Sequence, residues 1–192
     1  MWLIILFAAA YTAGSVNFSI LLFKIIGKDD PRNKFSRNAG VTNVYRQAGF
    51  LPAALVLVLD IGRSMGIALV SLLVLPAEFV PWGGFGLILG NRFPCFHSFK
   101  GGKGTANYLG FTAIVSPVSA VVSMPVWCLV YQLFKFPFIA SFAMVFILGV
   151  GTVITCSGHL IHVTGVFGTV VLIFCSHRPN IHAFLQNRRK IN

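Results

Sequence analysis

The chain has 192 residues, of which 56% are hydrophobic and 10% are charged, and its 15 basic against 4 acidic residues give a net charge of +11. Because soluble domains carry about a quarter charged residues, this composition argues against a water-soluble enzyme. The basic residues lie in short segments between long apolar runs, which is typical of a membrane protein with several spans and not of a nucleic-acid-binding domain.

The first apolar run occupies residues 2–26. It has the ~20 residues that are needed to cross a bilayer. A secretory signal would begin with a positive segment, but residues 1–23 carry no charged side chain. We therefore expect a retained first span rather than a cleaved leader.

The remaining apolar runs predict six further crossings. They occupy residues 50–75, 83–98, 105–134, 137–156 and 158–175. Ser116-Pro117 divides the run 105–134 in two, because proline ends or kinks a helix. The sequence thus predicts an all-α, single-domain polytopic membrane protein (residues 1–192) with about seven transmembrane helices, although a re-entrant segment at 105–116 would change the count.

Orientation follows from three basic clusters, since positive residues in short loops mark the cytoplasmic face. The clusters are Lys24, Lys28, Arg32, Lys34, Arg37 and Arg46; then Arg92, Lys100 and Lys103; then Arg178, Arg188, Arg189 and Lys190. This places the N-terminus outside and the C-terminus in the cytoplasm. Asp60 and Arg63 stand apart inside an apolar run, and we interpret them as a structural ion pair because they are three residues apart.

The first cluster contains more than a topology signal requires. Hydroxyls, amides, an arginine and Gly40 together suit a phosphate ligand, and the residues concerned are Ser36, Asn38, Thr42, Asn43 and Arg46. A plain positive loop is the alternative.

The second cluster contains the segment Lys-Gly-Gly-Lys-Gly-Thr at 100–105. Gly101, Gly102 and Gly104 would let backbone N–H groups converge on an anion, with Lys103 supplying charge and Thr105 capping the next helix. Gly104 separates Lys103 from Thr105, so the segment is not a nucleotide-binding P-loop. A flexible turn is the alternative.

The third cluster contains His177, Pro179 and Asn180. Pro179 suits the first turn of a helix, and His177 and Asn180 would then face the same way.

In this order, the clusters resemble the membrane acyl-phosphate:glycerol-3-phosphate acyltransferase family of bacteria. Its first motif, Gly-Ser-Gly-Asn-x-Gly-Ala-Thr-Asn-x-x-Arg, corresponds to residues 35–46. Its second, Gly-His-x-x-Pro-Val-Phe-x-x-Phe-x-Gly-Gly-Lys-Gly, corresponds to 90–104, and its third, His-Arg-x-Asn-Ile, to 177–181. The chain departs from these motifs at Phe35, Arg37 and Asn91, and it has Pro179 where an acidic residue is common in the third motif.

The resemblance implies seven membrane helices and transfer of a fatty acyl group from acyl-phosphate to the 1-hydroxyl of glycerol-3-phosphate. The products would be lysophosphatidic acid and phosphate, at the start of phospholipid synthesis. The expected partners are the two substrates and the lipid bilayer of the bacterial inner membrane, with the site on the cytoplasmic face and with no metal, cofactor, nucleotide or nucleic acid.

The resemblance also implies roles for single residues. His177, Asn180 and Ser36 would be catalytic. The residues that would bind substrate phosphate are Arg46 and Lys103 foremost, with Asn38, Thr42, Asn43, Gly101, Gly102 and Gly104. The departures from the motifs leave a catalytically weak paralogue or a lipid-phosphate binder as alternatives. A small transporter of a phosphorylated solute is a third.

Overall fold

Helices form at each of the predicted apolar runs. The computed structural model describes residues 1–156 and 159–189, with 187–189 described by their backbone alone. The α-helices in these ranges are α1 (Trp2–Ser15), α2 (Phe18–Ile25), α3 (Val41–Ala48), α4 (Phe50–Val74), α5 (Val80–Arg92), α6 (Thr105–Val115), α7 (Pro117–Phe134), α8 (Pro137–Thr155), α9 (Leu160–Ser176) and α10 (Arg178–Arg189). The all-helical prediction is confirmed. The basic run 188–190 lies outside the described side chains.

Four helical segments in the described ranges are long and apolar enough to cross a bilayer, namely α1 with α2, α4, α7 and α8. A fifth is added if α9 and the start of α10, which meet at 41°, form one span. By contrast, α5 has 13 residues and α6 has 11. Since a helix rises about 1.5 Å per residue, both are shorter than the ~30 Å hydrocarbon core. The count of seven crossings therefore stays a prediction.

The break between α6 and α7 lies where proline predicts it. α6 ends at Val115, and Pro117 is the first residue of α7. Proline is tolerated there because its missing N–H would have had no helical partner.

A second break, between α1 and α2, is stabilised by polar side chains. Asn17 caps α2 by accepting from the N–H of Ile20 (3.1 Å). Arg63 donates to the carbonyl oxygen of Ala13 (3.1 Å), which also accepts from the N–H of Val16, and to the carbonyl oxygen of Val16 at the break. Arg63 also pairs with Asp60 at 2.8 Å, which confirms the predicted ion pair.

Glycines bring α1 and α5 into close contact. A Cβ atom on Gly14 would lie 2.1 Å from the carbonyl oxygen of Leu87, and one on Gly90 would lie 2.0 Å from that of Tyr11. Only glycine permits this approach of the two backbones. The contact holds the start of the second basic cluster against the end of α1.

Candidate active site

The three basic clusters, distant in sequence, line one cavity of about 410 Å³. The predicted site residues that line it are Ser36, Asn38, Thr42, Asn43, Arg46, Gly102, Lys103, Gly104, His177 and Asn180. Gly101, the remaining predicted residue, lines an adjoining polar pocket instead. Convergence of the clusters is therefore a property of the fold, and the prediction that they act together is consistent with it.

The cavity is lined by both polar and apolar side chains. The apolar wall comes from four helices, α4, α6, α7 and α8, and includes Leu57, Leu109, Met124, Trp127, Phe138 and Met144. A ligand that fills this space can therefore have an anionic head and a hydrocarbon tail.

The first motif lies partly on α3, a helix of eight residues that begins after Gly40. Thr42 and Arg46 are one turn apart and share a face of α3, and both line the cavity. Asn43 is 1% exposed, and its side-chain amide donates to the carbonyl oxygens of Pro31 (2.7 Å) and Asn38 (2.9 Å). Asn43 thus holds the loop before α3 in shape.

Arg32 connects the first loop to the second. Its guanidinium donates to the carbonyl oxygens of His97 (2.8 Å) and Lys100 (2.7 Å), and it pairs with Asp30 (2.6 Å). The hydrogen bonds from Arg32 hold the pKa of the Asp30 carboxyl below its usual value. Burial lowers the pKa of His97.

The glycine segment differs from its prediction in two ways. The N–H groups of Gly101 and Gly102 donate to the carbonyl oxygens of Arg92 (3.2 Å) and Asn91 (2.9 Å), so they do not converge on the cavity. Their role is steric, because a Cβ atom on Gly101 would lie 2.0 Å from the Asn91 oxygen. The predicted cap was also wrong, since Gly104, at φ +84°, occupies the N-cap and Thr105 is the first helical residue.

The amino end of α6 supplies the backbone donors that the glycines do not. The first intrahelical bond of α6 runs from the N–H of Tyr108 to the Gly104 oxygen (2.8 Å). The N–H groups of Thr105 and Ala106 therefore have no helical partner, and both residues line the cavity. Such an end attracts phosphate groups.

Lys103 links the second and third clusters by donating from Nζ to Oδ1 of Asn180. Burial lowers the pKa of Lys103 to about 8, and the positive charges of Arg46 and Arg92 contribute in the same direction. Three cations are thus close together, and within the described ranges no salt bridge joins any of them to a carboxylate, as expected where an anion binds.

His177 follows directly after α9 and is 3% exposed. Its Nδ1 lies 2.9 Å from the carbonyl oxygen of Ile173, which only accepts, so Nδ1 carries a proton. In the neutral imidazole, Nε2 is then a proton acceptor. The Phe142 ring packs edge-on against the imidazole, with centroids 5.2 Å apart.

Asn180 is one turn beyond His177, and its N–H donates to the His177 carbonyl oxygen (2.9 Å). Pro179 lies in the first turn of α10, as predicted. Both His177 and Asn180 line the cavity, which confirms that they face the same way.

Sequence reasoning did not assign Asp60, Asn91 and Asn107 to the site, yet all three line the cavity. Asn107 accepts at Oδ1 from Ser64 (3.0 Å) and from Arg63, and so ties α6 to the Asp60–Arg63 pair. Asn91 lies in the second motif and Asn107 lies three residues beyond it, and this position was the signal that the sequence offered. The sequence contains no such signal for the apolar wall, since lipid-facing and cavity-facing apolar residues look alike in sequence.

Comparison with known sequences identifies the family. The profile of a family described as Glycerol-3-phosphate acyltransferase matches residues 4–187. The chain belongs to this family. The glycerol-3-phosphate acyltransferase of Methylobacillus flagellatus is 34% identical over 178 residues, which cover 92% of this chain and 90% of the relative. That of Mycoplasma mobile is 37% identical over 153 residues, which cover 76% of this chain and 63% of the relative.

Solved structures agree with this assignment. Two crystal structures of PlsY (YgiH), an integral membrane glycerol 3-phosphate acyltransferase, resemble this chain with TM-scores of 0.88 and 0.86. The first is the glycerol 3-phosphate form and the second the lysophosphatidic acid form. Identities are 30% and 29%, and each match covers 97% of this chain and 93% of the solved chain. The predicted family is confirmed, and this acyltransferase is an integral membrane enzyme.

Proposed function

We propose that this acyltransferase moves a fatty acyl group from acyl-phosphate to the 1-hydroxyl of glycerol-3-phosphate and releases lysophosphatidic acid and phosphate, in phospholipid synthesis. The observation that carries the proposal is the cavity whose lining combines Arg46, Lys103 and other polar residues with an apolar wall. An acyl-phosphate has this same division into an anionic head and a hydrocarbon tail. The solved relatives in glycerol 3-phosphate and lysophosphatidic acid forms support the acceptor and the product.

The positive charge of the residues that line the cavity fits the two anionic substrates. Arg46 and Lys103 face the cavity from different elements, and we assign both to phosphate groups. Ser36, Asn38 and Thr42, with the N–H groups at the start of α6, supply uncharged donors for the remaining phosphate oxygens. Gly101, Gly102 and Asn43 act by shaping the backbone around these groups.

The chemistry needs little from the protein beyond alignment and charge. The acceptor hydroxyl oxygen attacks the acyl carbon, a new ester C–O bond forms, and the bond from the acyl carbon to the phosphate oxygen breaks. The phosphate leaves with the electron pair. Cations and N–H groups stabilise the charge that develops on the carbonyl oxygen and on the leaving phosphate. No covalent intermediate is required, because acyl-phosphate is already an activated donor.

The hydroxyl proton has two possible acceptors in this arrangement. One is Nε2 of His177, which the hydrogen bond at Nδ1 leaves as the basic nitrogen. The other is a phosphate oxygen of a substrate, with His177 and Asn180 then acting as phosphate donors. The two routes predict different kinetics for His177 variants.

We also propose that the enzyme lies in the bacterial inner membrane with its site on the cytoplasmic face. The basic loops support this orientation. Lys34, Lys100 and Arg178 are close in sequence to residues that line the cavity, and all three are exposed. Glycerol-3-phosphate would enter from the aqueous side and the acyl chain from the lipid.

The proposal is tested by the choice of donor. The purified enzyme in detergent is given radiolabelled glycerol-3-phosphate with palmitoyl-phosphate or with palmitoyl-coenzyme A, and the lipid product is identified by mass spectrometry. Lysophosphatidic acid should form with palmitoyl-phosphate and not with palmitoyl-coenzyme A. The Lys103→Ala variant should form less of this product. Equal product with palmitoyl-coenzyme A would overturn the proposed donor.

A further inference from the structure

A second pocket of about 520 Å³ adjoins the active-site cavity. We call it the polar pocket. It shares Ser36, Asn38, Lys103 and Asn180 with the cavity, but it lacks the apolar wall. Its basic residues are Arg32, Arg37, Arg92, Lys100 and Lys103, against the single acidic residue Asp30.

Within the described residues, the positive charge of the polar pocket is neutralised only in part, by Asp30. Asp30 is fully engaged by Arg32. Within the described ranges, no carboxylate pairs with Arg37, Arg92 or Lys100. Arg92 is half-buried, and its guanidinium rests on the Phe93 ring, 4.9 Å from the centroid. A guanidinium that is partly removed from water and has no carboxylate partner is well placed to bind an anion.

Backbone strain marks the same pocket. Arg37 and Ser98, which both line the pocket, adopt φ +51° and +57°, in the left-handed region that favours glycine. A non-glycine residue rarely adopts this region and persists in it where its surroundings, often a ligand site, fix it. Arg37 thus combines an unfavourable backbone conformation with a cationic side chain at the wall of the pocket.

We propose that the polar pocket is a second phosphate site, formed by Arg37, Arg92 and Lys100 and distinct from the phosphate position beside the apolar wall. Its occupant is a phosphate group from the aqueous side, carried by an arriving phosphate monoester or released as inorganic phosphate. Lys103 and Asn180, which border both spaces, would lie between the two phosphate positions. The identity of the occupant rests on the proposed function, but the existence of the site does not.

Direct binding of inorganic phosphate to the purified protein in detergent, measured by ³¹P NMR titration, tests this proposal without turnover. In an Arg46→Gln background, which weakens the cavity position, phosphate should still bind. Adding Arg92→Gln should weaken this remaining binding about ten- to hundredfold, the usual loss for one charge-assisted contact. Arg92→Lys, which keeps the charge, should restore part of it.

A matched pair of substitutions separates charge at the pocket from backbone strain. Arg37→Gly and Lys135→Gly each remove an exposed cation from a residue with positive φ, +51° and +60° respectively. Lys135 lines neither space. Arg37→Gly should weaken phosphate binding, and Lys135→Gly should not. Equal binding in Arg37→Gly, Arg92→Gln and Lys135→Gly would overturn the second site.

Kinetics then distinguish the two sources of the phosphate group. If the occupant is the arriving monoester, Arg92→Gln raises KM for glycerol-3-phosphate. If it is the departing product, the same variant raises the inhibition constant of inorganic phosphate and leaves KM unchanged. Phosphate binding that follows the predicted pattern in a protein with no acyl transfer would uphold the site and refute the proposed reaction.

Discussion

Lys103 borders both the active-site cavity and the polar pocket, and its protonation should control substrate capture. Lysine is positively charged below its pKa, and burial with repulsion from Arg46 and Arg92 lowers that pKa to about 8. As the pH rises through this value, the free enzyme loses the charge that binds phosphate. We therefore expect kcat/KM for glycerol-3-phosphate to fall above about pH 8, because this ratio reports on the free enzyme.

The measurement is a pH profile of kcat/KM from pH 6 to 10 for the wild type and for Lys103→Arg. Arginine stays charged over this range, so the fall near pH 8 should be lost in the variant. An identical fall in both proteins would assign it to another group.

His177 decides between the two routes for the hydroxyl proton. If Nε2 takes the proton, His177→Gln and His177→Ala should both lower kcat by about 10²–10⁴-fold. If a substrate phosphate takes it, His177→Gln should retain much of the turnover, since its amide still donates to phosphate, and the loss should appear as a higher KM.

Turnover at saturating glycerol-3-phosphate is measured for both variants, with folding checked by thermal unfolding in detergent. Because Phe142 packs against the imidazole, a matched Phe142→Leu variant reports how far loss of packing alone lowers kcat. Near-normal kcat in His177→Gln and His177→Ala would remove His177 from the chemistry.

At the scale of helices, the crossing of α1 and α5 offers a sharp stability test. Gly14→Ala would place Cβ 2.1 Å from the Leu87 oxygen, so the helices must separate. We expect a loss of about 1–3 kcal/mol, as for other overpacked contacts. Gly62→Ala on α4 is the control, because a Cβ atom there has nothing within 4 Å.

Alanine forms helices better than glycine, so Gly62→Ala should be neutral or stabilising by about 1 kcal/mol. Thermal unfolding in detergent compares the two variants. Similar midpoints for Gly14→Ala and Gly62→Ala would mean that the α1–α5 contact is looser than described.

The elements that the sequence predicts well are those governed by local patterns. Apolar runs became helices, Pro117 began α7, and the spacing of Asp60 and Arg63 gave an ion pair. Each depends on neighbours within one or two helical turns, so sequence spacing contains the information. The break at Asn17 was missed because it depends on Arg63, which lies far along the chain.

The site was predictable as a set of residues but not as an arrangement. Motif chemistry identified Lys103, Arg46 and His177, whereas their meeting in one cavity depends on packing between distant segments. Gly101 and Gly102 were expected to present N–H groups to an anion, yet a contact with the end of α5 takes both groups. Hydrogen bonds between distant backbone groups leave no pattern in the sequence.

At the scale of the whole molecule, the orientation makes a prediction about accessibility. With the four native cysteines replaced, single cysteines at Lys34, Lys100 and Arg178 should react only from the cytoplasmic side. A cysteine at Ala77, in the segment between α4 and α5, should react only from outside. All four positions are exposed, so burial does not confound the labelling.

Labelling is measured in intact cells and in inverted vesicles with a membrane-impermeant maleimide. If Lys34, Lys100 and Arg178 divide between the two sides, then the three basic clusters cannot form one site on the cytoplasmic face, and the seven-crossing arrangement is wrong.

In the proposed reaction, one cavity couples the departure of phosphate to acylation of glycerol-3-phosphate. Release of inorganic phosphate from palmitoyl-phosphate by the purified enzyme tests it most directly, with lysophosphatidic acid measured in the same samples. We expect one phosphate released for each lysophosphatidic acid formed, and almost none when glycerol-3-phosphate is left out. Phosphate release that does not depend on glycerol-3-phosphate, or no release when both substrates are present, would contradict the account.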